Sequence, residues 1–528
     1  MALRLYSLGY INTAFISMRP WTRRSLLHIL KQSQSSIVQD GNTQAVAILA
    51  RLNTLLIEET PGNNFVRGGV YGIESVYMRI ATIRGQTLRD SYHLGETINN
   101  DYGRPYEAGF NNITGFSSLN EWKRFSLNIR GEYQHSPSSL GYSLGVSQAL
   151  ASLDAYKFTP LSKPLDSTIP YGYLAEQNTF RLVEASLSFH LVGHEISGGK
   201  TDSWMGPAEG GAFAWTNNAE NIYAFRINRV EPLHLPVLSK LLGPIRYDFQ
   251  VGSLKGHNSP RAPWVHSEMF AFRPTSNVEF GFQRTVIWGG EGHEPVTLHT
   301  FFRSFFSFED TESDPSAKIG SSDPGARFTA FNFSWRLPLL THRVTLYADS
   351  EAHDDVTPPS APRRAAYRPG LYISQFPTIP KLDLRVEAVS TDTSTLRSIK
   401  GSFNYFEGQQ RQGYTNKGQI FGDWIGREAK GGQTWLTYHL SASEWVQLQY
   451  LYKKTPKDFI PNGTTQHQLK LDIVKDFFRN KMQLHAWLQL EQWKAPIYIP
   501  GRTTNTIAAA QIRWFPKLRT TPISVNGK

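Results

Sequence analysis

The sequence predicts an all-β membrane protein: a single antiparallel transmembrane β-barrel of about 18 strands, preceded by a small N-terminal α-helical module. Charged residues make up only 19% of the 528 residues, aromatic residues make up 13%, and cysteine is absent. A soluble domain usually carries about 25% charged residues. From residue 71 onward, apolar and polar residues alternate in segments of about 9–11 residues, the length that a tilted strand needs to cross a bilayer.

Residues 1–62 are predicted to form the helical module, and residues 63–528 the barrel. Apolar residues recur at helical spacing in 24–31 and again in 43–59, where Thr43 is placed to cap the second helix. A Pro-Gly-Asn-Asn stretch then interrupts the helical pattern. No signal peptide is recognisable at the start, so we expect the module to be truncated at its N-terminus.

Strands are predicted where the alternation is clearest, for example in 125–133, 245–251, 382–388 and 482–490. Counting such segments gives roughly 16–18 strands, and single-chain outer-membrane barrels close on an even number. Two or more soluble β-sandwiches are the alternative, but their strands are usually only about 5–6 residues long. Aromatic residues near strand ends, where a barrel places its interfacial girdles, favour the barrel. They are Tyr450, Tyr452, Trp445, Trp487, Trp493, Trp514 and Phe515.

The net charge of +11 comes from basic residues spread over many predicted strands, without a continuous basic block. This distribution argues against a nucleic-acid partner. Inward-facing Arg and Lys side chains either pair with inward-facing acids to fill a polar lumen, or bind an anionic polymer such as an acidic polysaccharide or the phosphates of lipopolysaccharide. The absence of cysteine excludes thiolate metal sites, iron–sulfur clusters and disulfides. No cofactor or metal is predicted.

Motifs for catalysis are weak, and the sequence predicts that the protein is not an enzyme. Residues 141–145 match G-x-S-x-G, a motif that requires a turn between a strand and a helix. The surrounding residues alternate and predict no following helix, so Ser143 is interpreted as a polar strand residue. The acidic run in 309–314 could hold Ca²⁺, but it lacks the glycine-turn spacing of a known calcium loop.

The most informative block runs from residue 195 to 229, where a glycine-rich loop carries aromatic, amide and guanidinium groups. Carbohydrate recognition uses flat aromatic faces beside planar donors to hydroxyls and carboxylates. The candidate binding residues of this early cluster are Trp204, Trp215, Asn217, Asn218 and Arg226. The alternative is that the same residues stabilise a loop folded into the barrel mouth.

Residues 204–219 resemble a signature of the capsule assembly protein Wzi family. The family pattern W-W-G-P-G…L-S-N-N-A reads W-M-G-P-A at 204–208 and W-T-N-N-A at 215–219. The chain departs from the pattern at Met205 and Ala208.

Later residues are similar to a second element of the same family. They read G-Y-T-N-K-G-Q at 413–419 and G-D-W-I-G at 422–426. The segments 8–11 and 18–23 are similar to the helical N-terminal element of more distant members. The late cluster of candidate polysaccharide-binding residues is Tyr414, Asn416, Trp424 and Arg427.

The resemblance implies an eighteen-stranded barrel in the outer membrane of a Gram-negative-type bacterium, with the helical module at its periplasmic end. It also implies a role in holding capsular or other surface polysaccharide, as a lectin and not as an enzyme. The expected partners are that polysaccharide, outer-membrane lipid and lipopolysaccharide, and the expected oligomeric state is a monomer.

Two other functions compete with this hypothesis. A barrel of about 16–18 strands is wide enough for an aqueous channel, so the protein could be a sugar or oligosaccharide porin unless loops or the helical module plug it. A barrel enzyme acting on lipid or polysaccharide would need a nucleophile and base, or two carboxylates, that converge from distant strands. Single-channel conductance separates the porin from the polysaccharide-binding protein.

Overall fold

The computed structural model describes the chain except residues 58–68, 155–166, 307–324, 341–342, 354–356, 394, 396–399, 479 and 522–528. The acidic run at 309–314 therefore lies outside the described residues. Three helices form the N-terminal module: α1 (Ala2–Ser7), α2 (Arg23–Asp40) and α3 (Thr43–Ile57). No helix among the described residues is both long enough and apolar enough to cross a bilayer.

Two helices of the module, α2 and α3, begin at side-chain caps. Thr22 accepts a hydrogen bond from the backbone N–H of Ser25 at the start of α2. The expected cap of α3 at Thr43 is wrong. Asn42 caps this helix instead, since its side-chain oxygen accepts from the backbone N–H groups of Gln44 and Ala45 at 3.1 and 3.2 Å. An asparagine just before the first helical turn satisfies donors that the helix itself leaves unpaired.

After the module, 18 long strands form a closed antiparallel barrel, and loops connect them. The predicted fold class is confirmed. The strands are β1 (Gly69–Arg84), β2 (Gly109–Trp122), β3 (Phe125–Ser136), β4 (Gln177–Leu191), β5 (His194–Lys200), β6 (Tyr223–Arg229), β7 (Ile245–Ser253), β8 (Trp264–Thr275), β9 (Val278–Trp288), β10 (Ala326–Arg336), β11 (Val344–His353), β12 (Ala366–Ile373), β13 (Leu382–Ser390), β14 (Lys430–His439), β15 (Trp445–Thr455), β16 (Thr464–Phe477), β17 (Met482–Ala495) and β18 (Ile499–Trp514).

The barrel closes where β18 pairs with β1, from Val76 opposite Trp514 to Arg84 opposite Thr506. Residues Arg519–Thr521 extend this pairing along the start of β1. Closure matters because an open sheet edge inside a bilayer would leave backbone N–H and C=O groups without partners.

Alternation along the strands separates an apolar outer wall from a polar inner wall. One outward row of directly opposed, partly exposed residues crosses β14–β17: Leu436, Leu448, Leu471 and Leu488. The neighbouring inward row on the same strands consists of Trp435, Gln449, Lys470 and Gln489. One face of each strand therefore suits hydrocarbon, and the other suits a polar interior.

The predicted aromatic girdle is only partly correct. Tyr450, Tyr452 and Trp514 face outward, as expected of interfacial residues. Trp493 is 1% exposed and donates from Nε1 to the carbonyl oxygen of Gln86 inside the barrel. By the same alternation, Trp445 and Trp487 also face the lumen, so a tryptophan near a strand end does not by itself identify the lipid interface.

The two ends of the barrel differ. At one end, called here the short-turn end, most strands are joined by only a few residues, such as 123–124 and 192–193. At the other, called the long-loop end, connections such as 85–108, 201–222 and 391–429 are much longer.

The N-terminal module packs against the short-turn end. The backbone N–H of Ser17 donates to Glu279 on β9 at 2.9 Å, and Nη1 of Arg336 on β10 donates to the carbonyl oxygen of Tyr6 at 3.0 Å. These contacts fix the module to the barrel without a shared strand.

In the described parts of the connections, three further α-helices are present: α4 (Leu144–Leu153), α5 (Leu238–Leu242) and α6 (Leu298–Phe306). The interpretation of Ser143 as a strand residue with no helix after it is wrong, because α4 follows directly. Ser143 is the N-cap, and its hydroxyl accepts from the backbone N–H of Val146 at 3.3 Å. Alternation over a few residues resembled a strand, whereas the serine belongs to a helix start.

Placing a charge in the outward leucine row tests the membrane-facing assignment. We expect Leu471→Arg to lower the free energy of unfolding by about 2–4 kcal/mol, because the guanidinium would face hydrocarbon near mid-strand. Leu440→Arg, in the β14–β15 turn, is the matched control and should cost no more than about 1 kcal/mol. Equilibrium unfolding of the barrel in lipid vesicles measures both. Equal costs at the two positions would contradict the assignment.

Candidate functional site

Three long loops fill the lumen, and together they are called here the lumen plug. The loops hold one another through backbone hydrogen bonds. The N–H of Thr216 donates to the carbonyl oxygen of Phe421 at 2.7 Å, and the N–H of Ile420 donates to the Ser91 hydroxyl at 2.9 Å. The described residues of the plug lie within 85–108, 201–222 and 391–429.

Aromatic rings from two of these loops stack at the centre of the plug. The ring centroids of Tyr414 and Phe421 are 3.9 Å apart, those of Trp215 and Phe421 are 4.6 Å apart, and Tyr405 lies 5.1 Å from Tyr414. Tyr414 also donates to the carbonyl oxygen of Ala214 at 2.7 Å. Parts of the early and late clusters predicted from the sequence therefore meet, and they meet in a buried core.

The two amides predicted to bind sugar hydroxyls cross-link the plug. Asn218 donates to the carbonyl oxygen of Ile420 at 3.1 Å and accepts from the N–H of Asn100 at 2.8 Å. Asn416 donates to the carbonyl oxygen of Glu220 at 2.8 Å and accepts from the N–H of Lys255 at 2.9 Å. Both side chains are almost fully buried. Their hydrogen bonds are made to protein backbone.

Charged side chains of the barrel wall anchor the plug. Arg368 on β12 donates to both oxygens of Asp423 at 2.5 and 2.8 Å and to Glu387 on β13 at 2.9 Å. Glu387 in turn accepts from the backbone N–H groups of Glu209 and Gly210 at 2.8 and 3.0 Å. All three charged side chains are fully buried. Such buried charges are stable only when they are paired in this way.

A glycine allows the plug to approach the wall at this anchor. A Cβ on Gly210 would lie 2.0 Å from the side chain of Gln433 and 2.7 Å from Trp435. Trp424 packs into the same place and donates from Nε1 to the carbonyl oxygen of Gly210 at 2.7 Å, with its ring 5.6 Å from the Arg368 guanidinium. The glycine-rich sequence of the loop is thus explained by close packing inside the barrel.

Trp204 lies near the N-terminal module, apart from the aromatic core. Met205 and Trp204 form a two-residue antiparallel ladder with Met18 and Arg19. The Arg19 guanidinium lies 5.2 Å from the Trp204 ring and donates to the carbonyl oxygens of Gly206 and Ala208 at 3.1 and 2.6 Å. Through Trp204 and Met205, the 201–222 loop of the plug therefore contacts the N-terminal module.

The two predicted arginines are paired within the protein. Arg226 on β6 donates to Asp248 on β7 at 2.6–3.0 Å and borders a lumenal cavity of about 410 Å³. Arg427 pairs with Asp154 at 2.5 Å, and its guanidinium lies 4.5 Å from the ring of Tyr92. Of the two alternatives for inward-facing basic residues, these two arginines follow the first, in which they pair with acidic residues of the protein itself.

Of the nine predicted residues, eight belong to the loops of the plug, and five of them come together at its centre, namely Trp215, Asn218, Tyr414, Asn416 and Trp424. Trp204 and Arg427 lie in the same loops away from this centre, Arg226 lies on the barrel wall in β6, and Asn217 donates to the Tyr102 hydroxyl at 3.1 Å. Only Trp204 and Asn217 keep appreciable exposure. The sequence analysis missed Asp349, Arg368 and Glu387, although charged residues at inward strand positions were a usable signal. It also missed Tyr171 and Tyr173, which are 56% and 69% exposed in the β3–β4 connection.

A buried histidine between two carboxylates joins the plug to α4. His93 contacts Asp90 through Nδ1 at 2.9 Å and Asp154 through Nε2 at 3.0 Å, and it is fully buried. Burial alone would lower the pKa of His93, but the carboxylates of Asp154 and Asp90 outweigh it and raise the pKa to about 9. The histidine is therefore charged at neutral pH, and it links the 85–108 loop of the plug to the end of α4.

A chain of three polar side chains lies on the outer wall of the barrel. His266 contacts Glu268 through Nδ1 at 2.6 Å and the Ser304 hydroxyl of α6 through Nε2 at 2.8 Å. Ser304 is 1% exposed, lies inside a helix and is also 3.0 Å from the carbonyl oxygen of Phe301. We interpret the three residues as the contact that attaches α6 to β8.

Within the described residues, no group of three or more His, Asp or Glu side chains is arranged to hold a metal ion.

The fold and the filled lumen define a plugged outer-membrane β-barrel. A model of the capsule assembly protein Wzi family matches residues 79–507. This is most of the chain, and the chain belongs to that family. The resemblance found in the sequence is therefore confirmed.

Comparisons with known proteins give one partial sequence relative and several structures. An "Uncharacterized 55.8 kDa protein in cps region" from Klebsiella pneumoniae is 24% identical over 162 residues, which are 30% of this chain and 31% of that protein. The match thus covers less than two thirds of that relative's length.

The structure is similar to the carbohydrate-binding β-barrel Wzi, an outer-membrane protein involved in group 1 capsule assembly in Escherichia coli. The TM-score is 0.66 at 15% identity, with 99% of this chain and 98% of that chain covered. OccK5 (OpdH) of Pseudomonas aeruginosa gives a TM-score of 0.43 at 6% identity, with 85% of this chain and 98% of that chain covered.

The His93 contact predicts a pH dependence of plug stability. Because the pKa of His93 rises from 6.5 to about 9 on folding, its stabilising contribution of about 3 kcal/mol is complete below pH 6.5 and is lost as the pH rises through 9. Thermal unfolding followed by near-UV circular dichroism should therefore show wild type losing more stability than His93→Gln between pH 6.5 and 9.5. Parallel pH profiles of the two proteins would contradict this role.

The Arg368 anchor predicts how the plug can be loosened. Arg368→Met leaves Asp423 buried without its cation and Glu387 with only Arg385 at 3.9 Å, which should cost about 3–5 kcal/mol and release the plug from the wall. In planar bilayers we expect little steady conductance from wild type and larger, fluctuating conductance from the variant. Arg343→Met, at an exposed arginine in the β10–β11 turn, is the control. Large steady wild-type conductance would contradict a sealing plug.

Proposed function

We propose that this protein binds capsular or other surface polysaccharide and holds or organises it at the cell surface, without catalysing a reaction. Membership of the capsule assembly protein Wzi family carries the proposal. The similar Escherichia coli Wzi is described as carbohydrate-binding, and the filled lumen of this chain fits a binding protein better than a channel. The expected partners are the polysaccharide and the outer-membrane lipid around a monomeric barrel.

The orientation follows from the lengths of the connections. Outer-membrane barrels carry short turns on the periplasmic side and longer loops outside. We therefore place the short-turn end, with the helical module of residues 1–62, in the periplasm and the long-loop end at the cell surface. The barrel domain, residues 63–528, then presents its long loops to the polysaccharide.

The tyrosines of the β3–β4 connection present exposed aromatic faces at the long-loop end. Tyr171 and Tyr173 flank Gly172, whose backbone is held by hydrogen bonds with Gly141 and Tyr142 at 2.6 and 2.8 Å. A fixed backbone beneath exposed rings suits stacking on sugar faces. We propose that these tyrosines contact the polysaccharide directly.

The nine residues predicted from the sequence contribute in two ways. Trp204 and Asn217, which retain exposure, are proposed to contact sugar units. The seven buried residues are proposed to support the loops that carry the contact surface, and they are Trp215, Asn218, Arg226, Tyr414, Asn416, Trp424 and Arg427. Exposed lysines such as Lys255 and Lys417 at the same end add charge for an anionic polymer.

Binding of the purified, detergent-folded barrel to the host's extracted surface polysaccharide tests the proposal. We expect saturable binding that weakens with salt, and about tenfold weaker binding when Tyr171 and Tyr173 are both replaced by Ala, because two stacking faces are lost. Tyr71→Ala combined with Tyr438→Ala removes two similarly exposed tyrosines elsewhere and is the control. No binding by a folded, heat-modifiable wild-type barrel would overturn the proposed function.

A further inference from the structure

A row of basic side chains lies along the outer rim of the barrel at the long-loop end. Lys430 on β14 lies directly opposite Lys454 on β15, Lys454 is opposite Thr465 on β16, and Thr465 is opposite Lys494 on β17. Arg502 lies near the start of the next strand, β18. All four basic residues are exposed. This set of four is called here the basic rim.

The basic rim faces lipid and not the lumen. Its residues alternate with neighbours that are buried inside the barrel, such as Lys453 at 1% and Glu491 at 1% exposure. The next outward residues towards the membrane centre include Tyr452 and His467, whose rings are 4.9 Å apart. Polar aromatic side chains at this depth are typical of the level of lipid headgroups.

Apolar residues continue the same outward face below the rings. Leu469 on β16 is directly opposite Leu490 on β17, and both are nearly half exposed. The outer wall of β14–β17 thus presents, from the rim inward, positive charge, polar aromatic rings and hydrocarbon contacts. This order matches the phosphates, headgroup and acyl chains of an outer-leaflet lipid.

Among the described residues, only one of the four charges of the basic rim has a carboxylate partner. Directly opposed like charges, such as Lys430 and Lys454, destabilise a sheet. Lys430 has Asp392 at 3.5 Å. Among the described residues, Lys454, Lys494 and Arg502 have no carboxylate within 4.0 Å. An external anion would relieve the repulsion.

The row of outward basic residues does not continue across β7–β9. Across β7–β9, the corresponding row of directly opposed outward residues at the long-loop end is Ser253, Trp264 and Trp288. That row carries no charge. A basic row is therefore not a general requirement of the long-loop end.

We propose that the basic rim binds the phosphorylated headgroup of lipopolysaccharide in the outer leaflet. The inference rests on the orientation in the proposed function, which places the long-loop end outside. Neighbouring strands lie about 4.8 Å apart, so Lys454 and Lys494, two strands apart, can contact two phosphate groups about 10 Å apart on one headgroup. Ammonium and guanidinium groups form charge-assisted hydrogen bonds with phosphate oxygens.

The test measures lipid binding by the full chain in detergent. The triple variant Lys454→Gln, Lys494→Gln and Arg502→Gln removes three charges of the basic rim. The control variant Lys240→Gln, Lys481→Gln and Lys517→Gln removes three exposed charges at the short-turn end. The probes are bis-phosphorylated rough lipopolysaccharide, the same lipid after phosphatase treatment, and phosphatidylglycerol.

We expect the rim variant to bind the phosphorylated lipopolysaccharide at least about tenfold more weakly than wild type, because each basic residue adds electrostatic attraction to an anionic headgroup. The control variant should bind like wild type, and phosphatase treatment should weaken wild-type binding to the level of the rim variant. Equal binding by the two variants would overturn the proposal. Equally tight binding of phosphatidylglycerol would assign the rim to phospholipid and would also overturn it.

Polysaccharide binding by the same proteins separates this inference from the proposed function. The rim variant should still bind the polysaccharide, since the substituted residues face lipid. A rim that binds lipopolysaccharide in a barrel that binds no polysaccharide would refute the proposed function alone. If polysaccharide binding is normal and the basic rim contributes nothing to lipopolysaccharide binding, only the proposed lipopolysaccharide site would be refuted.

Discussion

One buried guanidinium ties the interior of this protein to its wall. Arg368 extends from β12 into the lumen and meets a wall carboxylate, Glu387, and a plug carboxylate, Asp423. Since unpaired charges are strongly unfavourable in a buried site, the plug is stable only where Asp423 reaches Arg368. Glu387 extends the same constraint to the backbone of Gly210. The contacts of Arg368 and Glu387 therefore fix the positions of the aromatic core and the glycine-rich loop.

The sequence predicted the wall much better than the contents. A period of two is local, so 125–133 and 482–490 could be assigned to strands without knowledge of their partners. The lumen depends on side chains far apart in the chain, such as His93 with Asp154. No local pattern reports such pairs. Local patterns can also mislead. The residues around Ser143 alternate as in a strand, but Ser143 is the N-cap of a helix.

The candidate residues illustrate an ambiguity of composition. Tryptophan, tyrosine and asparagine suit a sugar-binding surface, and they suit equally the packing of loops whose backbone groups need partners in a confined space. Trp424 and Asn218 belong to the second use in this structure, since both bond to backbone of the plug. Sugar-binding residues are exposed and loop-packing residues are buried, and a sequence motif does not indicate which of its residues are buried. The exposed Tyr173 belongs to no motif and became visible only in the fold.

The ladder between Trp204–Met205 and Met18–Arg19 has a mechanical consequence. The loop that carries it also contacts the wall anchor and the aromatic core, so an unbroken series of bonds runs through the lumen from the long-loop end to the helical module. A polymer pulling on the outer loops would therefore place part of its load on this ladder and part on the Arg368 anchor. Tension applied at the cell surface would in this way reach both the barrel wall and the helical module.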